Sequence, residues 1–102
     1  MLDSLLLPFQ PPEPVHGPVR LGLTFTWPWL ASDSRRTRLA SHGWIWHDRR
    51  PDCSNLAKTL EDRLMALRFI DDDAKVVYLS VEKFRGDVPG IGIVILSVEA
   101  TP

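Results

Sequence analysis

Two groups of residues in this 102-residue chain have the types and spacing to do chemistry on a phosphate. The first sets Asp52 and Lys58, in the run Arg50-Pro51-Asp52-Cys53-Ser54-Asn55-Leu56-Ala57-Lys58, against the acidic run Asp71-Asp72-Asp73. Two carboxylates beside a lysine suit Mg²⁺, which takes hard oxygen ligands, keeps several waters and accepts a substrate phosphate. The ammonium can then stabilise charge that builds on that phosphate. The second group lies between Arg35 and Arg50, where Arg35, Arg36, Arg38, Arg49 and Arg50 are interleaved with His42, Trp44, Trp46 and His47. Guanidinium forks match phosphate oxygens, and indole faces match exposed bases. Plainer readings stand beside both. Asp52 or Ser54 can serve as a helix N-cap, a triple Asp can be a solvated turn, and the tryptophans can tuck onto a sheet edge.

The elements that must position these groups follow from periodicity. Val19, Leu21, Leu23, Phe25 and Trp27 alternate, so residues 19–27 read as a half-buried strand stopped by Pro28. Leu56, Leu60, Leu64 and Leu67 recur every three or four positions, which predicts an amphipathic helix over 55–68. Residues 76–81 read as a second strand, 84–92 as a hairpin connection with Gly86, Pro89 and Gly90, and 93–98 as a third strand. Residues 28–51 show no sustained period and read as a long functional loop. Five prolines between residues 8 and 18 read as an extended arm that neither pairs in a sheet nor winds a helix. The expected fold is α+β: a small mixed sheet of about three strands with one long helix packed on one face, in the order β-loop-α-β-β. Residues 1–16 form the proline-rich arm and 17–102 the domain. Asp52 and Asp73 lie at opposite ends of the helix, and they converge only if the strand after Asp73 returns antiparallel beneath it.

Composition narrows the classes. Twelve basic residues against thirteen acids give a net charge of −1, so the chain is not a globally basic nucleic-acid binder. The charge is nonetheless divided, with the Arg excess between 35 and 50 and the acidic excess at 71–73, which hints at a polyanionic partner. One cysteine, Cys53, excludes an intramolecular disulfide framework and fits a reducing, cytoplasmic setting. No apolar run is long enough for a membrane span, and residues 2–9 lack the basic start of a secretory signal. His42, His47 and Cys53 match no common zinc spacing, and there is neither a nucleophile elbow nor a phosphate-binding glycine loop.

The residues from Pro51 to Lys58 resemble the P-D-x-D-N-L-x-K motif of the RusA family of Holliday junction resolvases. Asp72-Asp73-Ala74-Lys75-Val76-Val77 is similar to that family's D-D-x-Q-V, and Gly17-Pro18-Val19-Arg20 to its entry into the central sheet. The likeness covers roughly residues 17–99. It implies an Mg²⁺-dependent endodeoxyribonuclease that resolves four-way junctions in DNA recombination and repair as a homodimer, and it implies the fold-back of Asp73 towards Asp52. It implies Asp52, Lys58 and Asp73 as catalytic residues and Asp52, Asp73 and Asp72 as metal ligands. Arg35, Arg36, Arg38, Trp44, Trp46, Arg49 and Arg50 are the expected DNA contacts. Two departures stand out. Ser54 occupies the place of the family's second carboxylate, a weaker ligand without charge. The front of the chain offers an arm where the family generally has a strand and a helix, so a shortened N-terminus is expected. The alternative function is a catalytically impaired DNA-binding relic or interaction module of the same fold.

Overall fold

The alternating apolar residues of 19–27 form the centre of the molecule as β1 (Val19–Trp27). One face of the strand, Val19, Leu21, Leu23 and Phe25, is almost wholly withdrawn from water. Burying each such side chain contributes about 1.5–3 kcal/mol, so this stripe is a large part of what holds the fold. The structure is a computed structural model and describes residues 2–99. Its further elements are α1 (Leu2–Leu6), α2 (Arg35–Ala40), β2 (Trp44–Trp46), α3 (Cys53–Ala66), β3 (Val76–Gly86) and β4 (Gly90–Ser97), with 3-10 turns at Leu7–Phe9 and Asp73–Lys75.

The fold is α+β, with a four-stranded mixed sheet in the order β2-β3-β1-β4. β1 runs parallel to β3 and antiparallel to β4, while β2 pairs antiparallel with β3. The fourth strand, β2, has three residues, too few to display a period of two in the sequence. It and α2 lie within residues 28–51, which sequence periodicity leaves as loop. β3 extends beyond residue 81 to Gly86, and β4 begins at Gly90, which shortens the hairpin connection to residues 87–89. Gly86 is required where it stands: a Cβ there would fall 2.3 Å from the Gly43 carbonyl oxygen, so any larger residue would push β2 away from β3.

α3 packs on the buried face of β1 through Ala57, Leu60 and Leu64. It runs Cys53–Ala66, two residues ahead of the expected span, because its C-terminal end is set by a Schellman turn. Arg68 takes a left-handed φ of 62°, the Phe69 N–H donates to the Leu64 carbonyl at 2.8 Å, and the Arg68 N–H donates to Met65 at 3.1 Å. Phe69 and Leu64 then meet in the core.

The proline-rich arm is not simply extended. Leu2–Leu6 is helical, Leu6 enters the core, and Val15 makes a parallel bridge with Ile70. Asp71 secures the arm by accepting from the Gly17 N–H at 3.2 Å and standing 2.7 Å from His16 Nδ1. Between arm and β4 lies an apolar cleft of about 690 Å³, lined by residues including Leu5, Phe9, Ile91 and Ile93.

Candidate active site and nucleic-acid interface

Asp52 takes the N-cap position of α3 in extended geometry, and its carbonyl accepts the first helical bond from Leu56 at 3.1 Å. Its carboxylate makes no capping bond, contrary to the capping expected of it, and neither does Ser54, which sits in the first turn. Asp52, Ser54 and Lys58 are all exposed. The helix therefore begins with an unspent carboxylate, a hydroxyl and, one and a half turns on, an ammonium.

At the other end the three consecutive aspartates divide their work. Asp71 holds the arm, as described. Asp72 caps the turn at Asp73–Lys75, accepting from the Ala74 N–H at 3.0 Å. That backbone bond, and then a side-chain bond with Asp73, keeps the Asp72 carboxyl below its ordinary range. The same shared bond pushes Asp73 up, with the negative charges of Asp72 and Asp62 adding to the shift. Glu61 is raised first by burial and then by Asp73 and Asp62, with Lys58 opposing.

The strand after Asp73 does return antiparallel along α3. Cys53 Sγ reaches the Val81 carbonyl at 3.9 Å, while Asp73 stands near Asp62, late in the helix. This fold-back does not bring Asp73 to Asp52 within one chain. α3 has 14 residues, about 21 Å at 1.5 Å per residue. Asp52 and Asp73 thus occupy opposite ends of the helix–strand pair, on the order of 20 Å apart. Among the described residues, no three His, Cys, Asp or Glu side chains are gathered so that they could hold a metal ion.

The basic segment is built rather than loose. Ser34 caps α2 by accepting from the Thr37 N–H at 3.1 Å, which leaves Arg35 and Arg36 exposed on the first turn. Arg38 is committed elsewhere: it donates to the Asp33 and Leu30 carbonyls, both at 3.2 Å, and its guanidinium lies 5.8 Å from the Trp29 ring centre. Trp44 and Trp46 project from one face of β2 and share Phe84. Trp46 stacks on that ring at 4.8 Å, and Trp44 meets it edge-on at 4.9 Å. The tryptophans are 47% and 59% exposed, so they form an open aromatic platform rather than a tucked sheet edge. Arg49 and Arg50 are exposed on the strap that leads to Asp52. His47 is buried against Trp27, ring centres 4.5 Å apart. Burial, and then the charges of Arg85 and Lys83, lower its pKa, so it is a neutral packing group at pH 7.

The match to known proteins fits this arrangement. The sequence matches the family described as Endodeoxyribonuclease RusA over residues 5–96. The chain belongs to the RusA endodeoxyribonuclease family. It is also 31% identical over 97 residues to the crossover junction endodeoxyribonuclease rusA of Lactococcus phage r1t, an alignment covering 95% of this chain and 70% of that relative. Membership makes it a nuclease by descent, with branched DNA the substrate class of its family. The RusA match begins at residue 5, and so takes in most of the arm that carries Leu6 into the core.

Sequence reading missed three residues that shape this site: Lys83, Phe84 and Arg85. A signal for two of them appears once β3 is set against β1. In β3, Leu79 and Val81 lie opposite Leu21 and Leu23 on the helix side of the sheet, and Lys83 and Arg85 continue that parity. Charged residues in core register need partners, and both have them.

Proposed function

We propose that this chain is a homodimeric, Mg²⁺-dependent endodeoxyribonuclease that nicks four-way DNA junctions in recombination and repair, acting in the cytoplasm. The observation that carries the reading is the pair of adjacent, exposed carboxylates Asp72 and Asp73 at the turn before β3, hard oxygen donors of the kind a divalent cation takes. Asp52 adds a carboxylate that its helix does not use, and Ser54 a hydroxyl. The donor chemistry thus suits Mg²⁺, while one chain holds the donors in two separated parts. A second copy that set its Asp73 beside the first copy's Asp52 would complete the set, which is the role the dimer has in this reading. When bound, the ion would supply Lewis-acid stabilisation at the scissile phosphate.

The chain's own residues do the rest. Lys58 is free to place its ammonium against the phosphate oxygens, where charge grows during displacement. Arg35, Arg36, Arg49 and Arg50 are exposed to contact phosphates along the arms of a junction, and Trp44 and Trp46 offer faces to bases unstacked at its centre. Arg38, tied to its own loop, orders that surface rather than touching DNA.

The test is incubation of purified protein with an end-labelled four-way junction in Mg²⁺ or in EDTA. Paired nicks that need Mg²⁺ and vanish in Asp73→Asn are expected. A relic that binds without cutting is the second reading, favoured by Ser54 at the place of a carboxylate. It predicts salt-sensitive binding with no nicks, and that outcome would overturn the first.

A further inference from the structure

Residues 47–52 form a strap between β2 and α3 that delivers Asp52, and nearly all of its backbone fastening comes from one residue of β3. The Lys83 Nζ donates to the Arg49 carbonyl at 2.5 Å and to the Pro51 carbonyl at 2.8 Å. The Lys83 carbonyl accepts from the His47 N–H at 3.0 Å. Residues 47, 49 and 51 are therefore all tied to Lys83, and Asp52 is the next residue along. Past it, the Cys53 thiol reaches Val81 on the same strand. β3 thus holds the strap on both sides of Asp52.

We propose that Lys83 is the positioning residue for Asp52: it fixes the backbone beneath a carboxylate whose oxygens stay free for a metal ligand's role. The inference rests on the nuclease reading above and adds to it a residue that touches neither phosphate nor ion. Three points favour it over a DNA contact or a plain ion pair. Lys83 lies opposite Phe25 on the helix side of the sheet, and its ammonium is already engaged by two carbonyls. Its acceptors are main-chain oxygens two residues apart, so the bonds restrain chain position rather than a swinging side chain. A compact ammonium with three donors can converge on two such oxygens, and charge-assisted bonds are about twice as strong as neutral ones. The strap's other support is shape: His47 lies buried in a stack on Trp27. Asp52 itself makes no capping bond, so its backbone is held while its carboxylate is not consumed.

Lys83→Met keeps the stem and removes the ammonium, and Lys83→Arg restores a cationic donor. Three measurements on the full chain decide the matter: amide hydrogen exchange over residues 47–53 without DNA, junction binding in EDTA, and single-turnover junction cleavage with Mg²⁺ titrated. For Lys83→Met, exchange should rise over the strap alone and binding should hold. Cleavage should fall roughly 10²-fold, the penalty of about an ångström of misplacement. The half-saturating Mg²⁺ concentration should rise, and Lys83→Arg should recover much of the rate. Wild-type cleavage by Lys83→Met overturns the proposal, as does loosening spread evenly over β3 and α3 or a loss that follows binding alone. If Lys83→Met does not fold, Lys83→Gln, uncharged and shorter, carries the same expectations. Should the wild-type chain not cut at all, the nuclease reading fails by itself. Hydrogen exchange then still judges the fastening, and unchanged exchange over 47–53 in the variant overturns it.

Discussion

Arg85 grips Asp33 with two parallel hydrogen bonds, Nε to Oδ2 at 2.8 Å and Nη2 to Oδ1 at 3.0 Å, with both side chains largely shielded from solvent. Asp33 also accepts from the Leu30 N–H at 2.8 Å, and its carbonyl receives Arg38. The head of the basic segment therefore hangs from β3 at this pair. The Arg85 hydrogen bond, the largest influence, lowers the Asp33 carboxyl below its ordinary value of 3.8. A carboxyl lowered on folding stabilises the protein above its unfolded pKa, and that contribution is lost as pH falls through the folded one. Thermal melts from pH 7 down to 3 should show wild type losing, below about pH 4, a margin that Asp33→Asn never has. Asp33→Asn should also melt lower at pH 7, because it leaves the shielded Arg85 with only the longer, 3.7 Å contact to the exposed Asp48.

The separation of Asp52 from Asp73 predicts complementation between inactive chains. Asp52→Asn and Asp73→Asn should each be inactive alone. Mixed under conditions that exchange subunits, the proposed dimer should give heterodimers in which one of two shared sites keeps both aspartates. Junction nicking should reappear on one strand per dimer. No recovery, with subunit exchange verified, would place both aspartates' work within one chain.

Ser54→Asp should act twice. α3 has no acid in its first turn, and a carboxylate there is worth about 0.3–1 kcal/mol at low salt through the helix dipole. A urea melt should detect that gain. If Ser54 occupies a ligand position, the same variant should also need less Mg²⁺ for half-maximal cleavage. A gain in stability with an unaltered Mg²⁺ curve would remove the ligand assignment.

The strand β1 and helix α3 were legible because their apolar residues repeat over many positions, and the Pro51–Lys58 run because its residue types repeat a family motif. What escaped depends on partners remote in sequence. β2 is too short for a period, and Lys83 and Arg85 look like ordinary strand charges until β3 is set against β1. The fold-back of β3 was implied by the family resemblance alone, which gave no measure of how far along α3 it would deposit Asp73. The short turn that carries Asp73 ends beside Asp62, and helix length alone then keeps it from Asp52.

The platform and the arginines should separate in binding assays. Trp46→Ala removes a stacking face, which costs about 1–3 kcal/mol per stacked base, or roughly 5- to 160-fold in junction affinity, with the salt dependence retained. Arg36→Ala should instead lower the slope of log affinity against log salt by about one contact. Arg38→Ala should leave that slope alone and lower the melting temperature. A slope change in Trp46→Ala, or none in Arg36→Ala, would reverse these roles.

Arg68 pays for ending α3, since a side chain in left-handed geometry costs about 1–2 kcal/mol. Arg68→Gly keeps the same turn without that cost and should stabilise the fold by about 1 kcal/mol in urea denaturation. Destabilisation would mean that the exposed arginine has a stabilising contact of its own.

The central parallel pairing of Val19 with Val76 has a consequence for how the molecule comes into being. The sheet's middle joins the early part of the chain to a late strand, so β1 finds no neighbour until α3 has been made and β3 has followed it off the ribosome. The arginine-bearing segment and the aspartates are therefore assembled in one late event. A nascent chain has no interval in which the proposed DNA-contacting surface is folded while Asp52 and Asp71–Asp73 are still unmade.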